Sequence, residues 1–151
     1  MTRGAQKKAA KKTKVLFVCI GNSCRSQMAE GWARHLASNV MEASSAGLAP
    51  LGEIANLTKA VLAERGVPID GQYSKGLTQQ AREEAELIIN ITGLPGKSVF
   101  LGSKVRVEDW RVADPYGEDL ERYRHIRDEI EERVSDLAER LRQEQGESGR
   151  T

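Results

Sequence analysis

The chain has few cysteines, little excess charge and no long apolar run, and each shortage excludes a class of protein. Two cysteines in 151 residues cannot build the disulfide framework of a small secreted domain. No apolar run approaches the about 20 residues that span a membrane, and no signal-peptide core stands at the N-terminus, so a cytoplasmic location is expected. Lysine and arginine total 23 against 22 for aspartate and glutamate, which leaves no basic field for nucleic acid.

Metal and nucleotide sites also lack their sequence signatures. No group of His, Cys, Asp and Glu has the spacing of metal ligands, and neither the Walker nor the Rossmann glycine pattern occurs. No metal and no cofactor are therefore predicted. The two histidines, His35 and His125, fall on predicted helices away from the loops and are interpreted as structural or exposed.

The most informative segment runs from Val15 to Ser26 and reads V-L-F-V-C-I-G-N-S-C-R-S. The apolar run predicts a buried strand and a helical pattern follows Arg25, so Cys19 is placed where a strand ends and a helix begins. Loop amides, the helix N-terminus and Arg25 are expected to converge there on one tetrahedral oxyanion. These groups favour the thiolate form of Cys19, so the group that binds the substrate also activates the nucleophile.

The remaining residues of this loop suit an anion site. Gly21 lets the backbone approach the anion, and Asn22 tolerates the left-handed conformation of a tight loop. Arg25 offers a planar fork of donors that lysine lacks. Ser26 either donates its hydroxyl to the Cys19 sulfur or caps the helix, and an inert buried cysteine at a strand end is the alternative interpretation of the whole segment. The predicted anion-binding residues of the loop are Ile20, Gly21, Asn22, Ser23, Cys24, Arg25 and Ser26.

The segment C-I-G-N-S-C-R-S-Q-M-A-E-G-W, which begins at Cys19, resembles the signature of the low-molecular-weight protein tyrosine phosphatase superfamily, which includes the thioredoxin-coupled arsenate reductases. The similarity extends from about Lys14 to Leu141 and includes the blocks S-S-A-G-L, E-R-G-V-P-I-D, E-D-W-R-V-A-D-P-Y-G and Y-R-H-I-R-D-E-I. The resemblance implies an α/β fold with a small parallel sheet of about four strands and helices on both faces. It also implies attack by Cys19 on a phosphate or arsenate as the first step.

Asp114 is the second candidate catalytic residue. Hydrolysis of a phosphate ester needs a proton for the leaving oxygen, and a carboxylic acid above the anion site supplies it and then activates water. An Asp-Pro pair is also typical of an ordinary turn. Asp114 matches the acid-bearing loop of the family, and the neighbouring Tyr116 is expected to contact the substrate. Asp109 is the alternative acid, whereas Trp110 is predicted to belong to the core.

The alternation of strand and helix patterns predicts one α/β domain over residues 14–142, between a disordered basic tail (1–13) and a polar C-terminal tail (143–151). Strands are predicted at 15–19, 40–46, 87–91 and around 105–107. Helices are predicted after residue 25, where Met28, Trp32 and Leu36 form one apolar face, and at 54–62, 77–84 and 120–141. Residues 92–98 are predicted as a Gly/Pro loop.

Two enzymatic activities fit these residues. By resemblance, the thioredoxin-coupled reductases carry further cysteines after the third strand, which form an internal thiol relay. This chain has Thr92 at about the first of these positions and no later cysteine. An internal cysteine relay is therefore excluded. The favoured hypothesis is a phosphatase that hydrolyses phosphomonoesters of the phosphotyrosine type through a cysteinyl-phosphate, with Cys19, Arg25 and Asp114 as catalytic residues. The partners then expected are a phosphorylated protein or a small phosphomonoester, and oxyanions such as phosphate, arsenate and sulfate.

The alternatives use the same loop. One is an arsenate reductase that takes electrons from an external thiol, thioredoxin or a glutaredoxin-like partner. Another is a non-catalytic module that binds phosphate or senses redox state. The resemblance implies a reversible disulfide between Cys19 and Cys24 under oxidation, whereas a small apolar side chain packed behind the loop is the simpler interpretation of Cys24.

Overall fold

The computed structural model describes the backbone of residues 11–150 and the side chains of residues 11–146. This part of the chain forms four strands and five helices, with one helix or two between successive strands. In order they are β1 (Thr13–Cys19), α1 (Arg25–Ala37), β2 (Met41–Gly47), α2 (Asn56–Glu64), α3 (Gln79–Glu84), β3 (Leu87–Asn90), α4 (Gly96–Val99), β4 (Arg106–Asp109) and α5 (Leu120–Arg150).

All four strands are parallel and form one sheet in the order β2-β1-β3-β4. The central strand β1 is buried from Val15 to Cys19, as its unbroken apolar sequence requires for a strand covered on both faces. Val15 lies beside Ala43 of β2 and Leu87 of β3, which aligns the three strands. The predicted α/β fold with a four-stranded parallel sheet is confirmed.

Helices cover both faces of the sheet. Phe17 and Cys19 point into the larger core with residues of α1, α2 and α5, whereas Leu16 and Val18 point into a smaller core with α3 and α4. This division follows from the alternation of side chains along a strand. Cys19 therefore ends β1 on the face that α1 covers, at the carboxyl edge where open α/β sheets bind ligands.

Helix α1 buries Met28 and Trp32 as predicted, but Leu36 is 41% exposed and Ala37 is buried in its place. A spacing of four residues drifts by about 40° per step from the 3.6-residue turn, so the third member of the series leaves the core-facing side. The prediction for Leu36 was wrong for this reason.

Two boundaries differ from the sequence interpretation. Helix α5 continues to Arg150 through the segment assigned to a polar tail, and its last turns are held by the Gln145 amide, which donates to the Val40 carbonyl at 2.9 Å and to Thr13 Oγ1 at 3.1 Å. The polar composition of this segment gave no indication of its contact with Thr13, the first residue of β1. Residues 1–10 of the predicted basic tail lie outside the described residues. The predicted loop 92–98 contains the start of α4, a single turn that begins after Pro95.

None of the helices in the described part of the chain is long and apolar enough to cross a membrane.

Candidate active site

The loop from Cys19 to Arg25 joins β1 to α1 and encloses the cysteine sulfur. Asn22 takes a φ of 48°, the left-handed conformation expected for it, and its backbone amide donates to Cys19 Sγ at 3.3 Å. Cys19 is almost fully buried. The loop therefore directs a main-chain donor at the sulfur, as an anion-binding site at a helix N-terminus requires.

The hydrogen bonds behind the sulfur have a fixed direction. Ser45 Oγ donates to the carboxylate of Glu30 at 2.6 Å, so it can only accept from Asn22 Nδ2, which lies 3.1 Å away. The same amide nitrogen donates to Ser26 Oγ at 2.7 Å, and Ser26 Oγ lies 2.9 Å from Cys19 Sγ. Since Ser26 accepts from Asn22, its own proton is available to the sulfur. Of the two interpretations of Ser26, the structure shows the sulfur contact.

Arg25 is buried and joins the loop to the segment that carries Asp114. Its Nη1 donates to the Val112 carbonyl at 3.1 Å, and its Nη2 lies 3.6 Å from Asp114 Oδ2. Its Nε is buried and has no partner among the described atoms. Buried donors are nearly always paired, so an acceptor in the cavity beside Cys19 fits this nitrogen. An oxyanion there would meet the planar edge of the guanidinium.

One cavity of about 270 Å³ lies above the Cys19 sulfur, and of the predicted anion-binding residues only Asn22 and Ser26 do not line it. Leu51 rests on the loop, since a Cβ on Gly21 would stand 3.1 Å from its Cγ, and Tyr116 lies at the mouth with 58% of its surface exposed. The cavity thus has a polar floor and an apolar rim. Its lining residues are Cys19, Ile20, Gly21, Ser23, Cys24, Arg25, Ala49, Leu51, Asp114 and Tyr116.

Of the two candidate acids, the structure brings only Asp114 to this cavity. Half of the Asp114 side chain is exposed, and its Oδ1 accepts the backbone N–H of Tyr116 at 3.1 Å. Asp109 instead accepts from Asn90 Nδ2 at 3.0 Å and from the Gly96 amide at 3.3 Å, so it ties β4 to β3 and α4. Trp110 packs against Phe17 in the core, with 5.8 Å between ring centroids.

Cys24 lies on the same loop but in a different environment. It is buried, with its sulfur 3.5 Å from the Tyr123 hydroxyl, and burial raises the pKa of both groups. The neutral thiol of Cys24 is therefore favoured, which suits a packing role behind the loop. Both cysteines are free thiols, and the disulfide between Cys19 and Cys24 stays a prediction. His35 and His125 are exposed and do not line the cavity.

Hydrogen bonds from distant polar residues hold Asn22 and Gly21 from beneath the loop, and these contacts were not predicted from the sequence. Gln27 Nε2 and the Lys75 backbone amide donate to Asn22 Oδ1 at 2.9 and 2.8 Å, and Ser74 Oγ donates to the Gly21 carbonyl at 3.3 Å. Burial lowers the pKa of Lys75, although the Glu30 carboxylate opposes this shift. Together with Ser45 and Glu30, these contacts hold Asn22 in its left-handed conformation. The only signal for them in the sequence was the family resemblance of Q-M-A-E and S-S-A-G-L.

The close packing at Gly47 leads to a prediction about the loop. A Cβ on Gly47 would stand 2.6 Å from the Ile20 carbonyl oxygen and 2.9 Å from the Asn22 amide nitrogen, both of which are backbone atoms that cannot move aside cheaply. We expect Gly47→Ala to cost about 1–3 kcal/mol of unfolding free energy, as overpacking of an interior does. Urea unfolding measures the change. Gly146→Ala is the matched control, because a Cβ there would meet no atom within 4 Å outside its own stretch of helix. Equal stability of the two variants would contradict the close packing inferred at Gly47.

No group of three or more His, Cys, Asp or Glu side chains within residues 11–146 is arranged to hold a metal ion.

Known proteins are similar to this chain over most of its length. Over 132 residues the chain is 35% identical to the glutaredoxin arsenate reductase of Synechocystis sp., an alignment that covers 85% of this chain and 98% of the relative. It is 35% identical over 133 residues to an arsenate reductase of Halalkalibacterium halodurans, with 83% and 94% covered.

Solved structures give the same fold. An arginine phosphatase from Geobacillus stearothermophilus superimposes with a TM-score of 0.80 at 31% identity and covers 89% of this chain and 96% of its own. An arsenate reductase in its phosphate-binding state gives a TM-score of 0.76 at 33% identity, with 85% and 98% covered. The family model for low molecular weight phosphotyrosine protein phosphatases matches residues 14–147. The chain therefore belongs to the low molecular weight phosphotyrosine protein phosphatase family.

Proposed function

We propose that the protein is a cysteine-dependent phosphatase that hydrolyses phosphomonoesters through a cysteinyl-phosphate. The observation that carries this proposal is the position of Asp114, a half-exposed carboxyl group that lines the same cavity as Cys19 and lies beside Arg25. A site that only binds an oxyanion has no need of a carboxyl group, whose negative charge repels the ligand. Ester hydrolysis needs such a group to protonate the leaving oxygen.

The chemistry follows in two displacements. The loop amides and Arg25 bind the phosphoryl oxygens, and the Cys19 sulfur attacks phosphorus while the bond to the ester oxygen breaks and Asp114 gives that oxygen its proton. The Asp114 carboxylate then takes a proton from water, whose oxygen attacks the cysteinyl-phosphate and releases the sulfur and inorganic phosphate. Ser26 stabilises the sulfur anion at the start and at the end of the cycle, because its proton is available to Sγ.

The rim of the cavity supports an aryl ester as substrate. Ala49, Leu51 and Tyr116 present apolar surface around the mouth, which suits a flat aromatic leaving group such as the side chain of phosphotyrosine. The cavity, at about 270 Å³, is also larger than the volume of a single inorganic oxyanion.

Arsenate reduction with an external thiol is the second candidate, and the relatives named above as arsenate reductases favour it. Two external thiols would become a disulfide while arsenate becomes arsenite and water, with Cys19 forming the bond to arsenic. The chain has no third cysteine to act as an internal relay. Thr92, at the expected relay position, instead donates to Asn90 Oδ1 at 2.7 Å and accepts the Leu94 amide at 3.0 Å.

One set of assays separates these functions. The purified protein is incubated with an aryl phosphate, and separately with arsenate plus a low-molecular-weight thiol, a glutaredoxin system or a thioredoxin system. Release of phosphate supports the phosphatase. Arsenite formation without any phosphatase activity would make the reductase the correct function. If the protein shows neither activity, the remaining hypothesis is a non-catalytic phosphate-binding module.

Asp114→Asn gives a more specific prediction. The loss of proton donation should slow cleavage of a poor leaving group, such as a phenol with a pKa of about 10, by roughly 10²- to 10⁴-fold. Cleavage of an activated ester such as nitrophenyl phosphate should suffer much less, because its leaving group needs little proton donation. The ratio of the two chemical rates, measured by rapid quench, tests the role of the acid.

The matched control is Asp70→Asn, an exposed aspartate that does not line the cavity, and it should leave the ratio unchanged. Equal losses for both leaving groups in Asp114→Asn would show that Asp114 is not the acid.

A further inference from the structure

The loop that carries Asp114 is anchored to the rest of the protein by two arginines. Arg25 Nη1 donates to the Val112 carbonyl at 3.1 Å, and Arg133 Nη2, from α5, donates to the Arg111 carbonyl at 3.2 Å. Adjacent peptide groups are thus held by guanidinium groups from two different helices. Because Asp114 follows two residues after Val112, the orientation of these peptides determines where its carboxyl group lies.

Arg133 also covers the core residue that precedes this loop. Its guanidinium lies 5.8 Å from the centroid of the Trp110 ring, which packs against Phe17 of the central strand. The Trp110 amide donates to the Asn90 carbonyl at 2.9 Å, so the tryptophan is fixed to β3 as well. Arg133 therefore joins the acid loop, the sheet and α5 at one point.

Only one of the two arginines is expected to contact the substrate. Arg25 lines the cavity, and its Nε and Nη2 are the groups expected to bind an oxyanion. Arg133 does not line the cavity, and besides the Arg111 carbonyl and the Trp110 ring it contacts Glu129 of its own helix, at 3.5 Å. Its hold on the Arg111 carbonyl is thus independent of the substrate.

We propose that Arg133 is a positioning residue for the general acid, since it holds the Arg111 carbonyl and the Trp110 ring and thereby fixes Asp114 over Cys19. This inference rests on the proposed phosphatase function. Asp114 itself has few contacts that would position it, because half of its side chain is exposed and the described partners of its carboxylate are the Tyr116 amide and Arg25. Its placement consequently depends on the anchoring of the preceding peptides.

Arg133→Met tests the inference, since methionine keeps part of the apolar stem and removes every donor. We expect the rate at which phenyl phosphate is cleaved to the cysteinyl-phosphate, measured by rapid quench, to fall about 10-fold, because a misplaced acid loses part of the advantage of orientation. For nitrophenyl phosphate the fall should be less than about 3-fold, and the inhibition constant of inorganic phosphate should not change. Arg133→Lys, which can still donate to a carbonyl, should recover most of the loss. Arg140→Met is the matched control, because Arg140 lies on the same helix but its guanidinium pairs with the side chain of Glu108 and not with the loop that carries Asp114.

A double-mutant comparison separates positioning from general stability. If Arg133 acts through Asp114, Arg133→Met should cause no further loss for phenyl phosphate in the Asp114→Asn protein. The same fold-loss in both backgrounds, equal losses for the two leaving groups, or an Arg133→Lys protein as impaired as Arg133→Met would overturn the inference. A wild-type protein that hydrolyses neither ester would overturn the proposed function instead.

Discussion

Replacement of Cys19 by serine should abolish turnover of aryl phosphates, with a loss of at least about 10³-fold, because a hydroxyl group is a far weaker nucleophile than a thiolate at neutral pH. The oxyanion site should survive, since Arg25 and the hydrogen bonds that hold Asn22 from beneath do not involve the sulfur. Steady-state kinetics and calorimetric titration with inorganic phosphate measure the two properties separately.

The result is decisive in both directions. A Cys19→Ser protein that binds phosphate without turning over shows that the site is intact and lacks only its nucleophile. Residual activity of more than a few per cent would remove Cys19 from the nucleophilic role.

Arg25→Lys should also be severe, with a loss of about 3–4 kcal/mol in the transition state, which corresponds to roughly 10²- to 10³-fold in kcat/KM. One ammonium group cannot hold the Val112 carbonyl and also present two parallel donors to an oxyanion. The variant should therefore lose affinity for phosphate and the link to the acid loop together.

Kinetics with an aryl phosphate and phosphate inhibition measure this loss. Arg65→Lys is the matched control, because Arg65 pairs with Asp128 at 3.2 Å on the surface and does not line the cavity. A mild effect of Arg25→Lys, similar to that of the control, would mean that the anion site lies elsewhere.

The conformation of the loop from Cys19 to Ser26 could be predicted from the sequence because its parts lie within eight consecutive residues. Cys19, Asn22 and Ser26 are joined by hydrogen bonds within this short segment, and the left-handed φ of Asn22 is expected from its residue type. The sheet was also predictable, since its buried strands are short apolar runs separated by helical patterns.

The supporting residues were not predictable from local patterns. Ser45 and Lys75 contact Asn22 across 23 and 53 positions of the chain, and a contact over such a distance has no signature in spacing or periodicity. The same holds for Gln145, whose polar side chain gave no sign that it anchors α5 to β1. Leu36 shows the opposite error, in which an apolar residue at a plausible spacing rotated out of the core.

The choice between the two acids needed the fold as well. Asp109 ends the short strand β4 and Asp114 follows it by five residues, but Asp109 accepts hydrogen bonds from Asn90 and the Gly96 amide, and only Asp114 reaches the cavity. Spacing alone does not distinguish a carboxylate that joins two strands from one that lies over an anion site.

The central claim is that Cys19 forms a covalent bond to phosphorus during ester hydrolysis. A rapid-quench experiment with nitrophenyl phosphate and the Asp114→Asn protein tests it most directly, because the loss of the base should slow attack by water more than formation of the intermediate. We expect a burst of nitrophenol close to one per active site, and an acid-quenched protein that carries one phosphoryl group on Cys19 by mass spectrometry. Turnover of the ester with no burst and no phosphoryl group on Cys19 would contradict it.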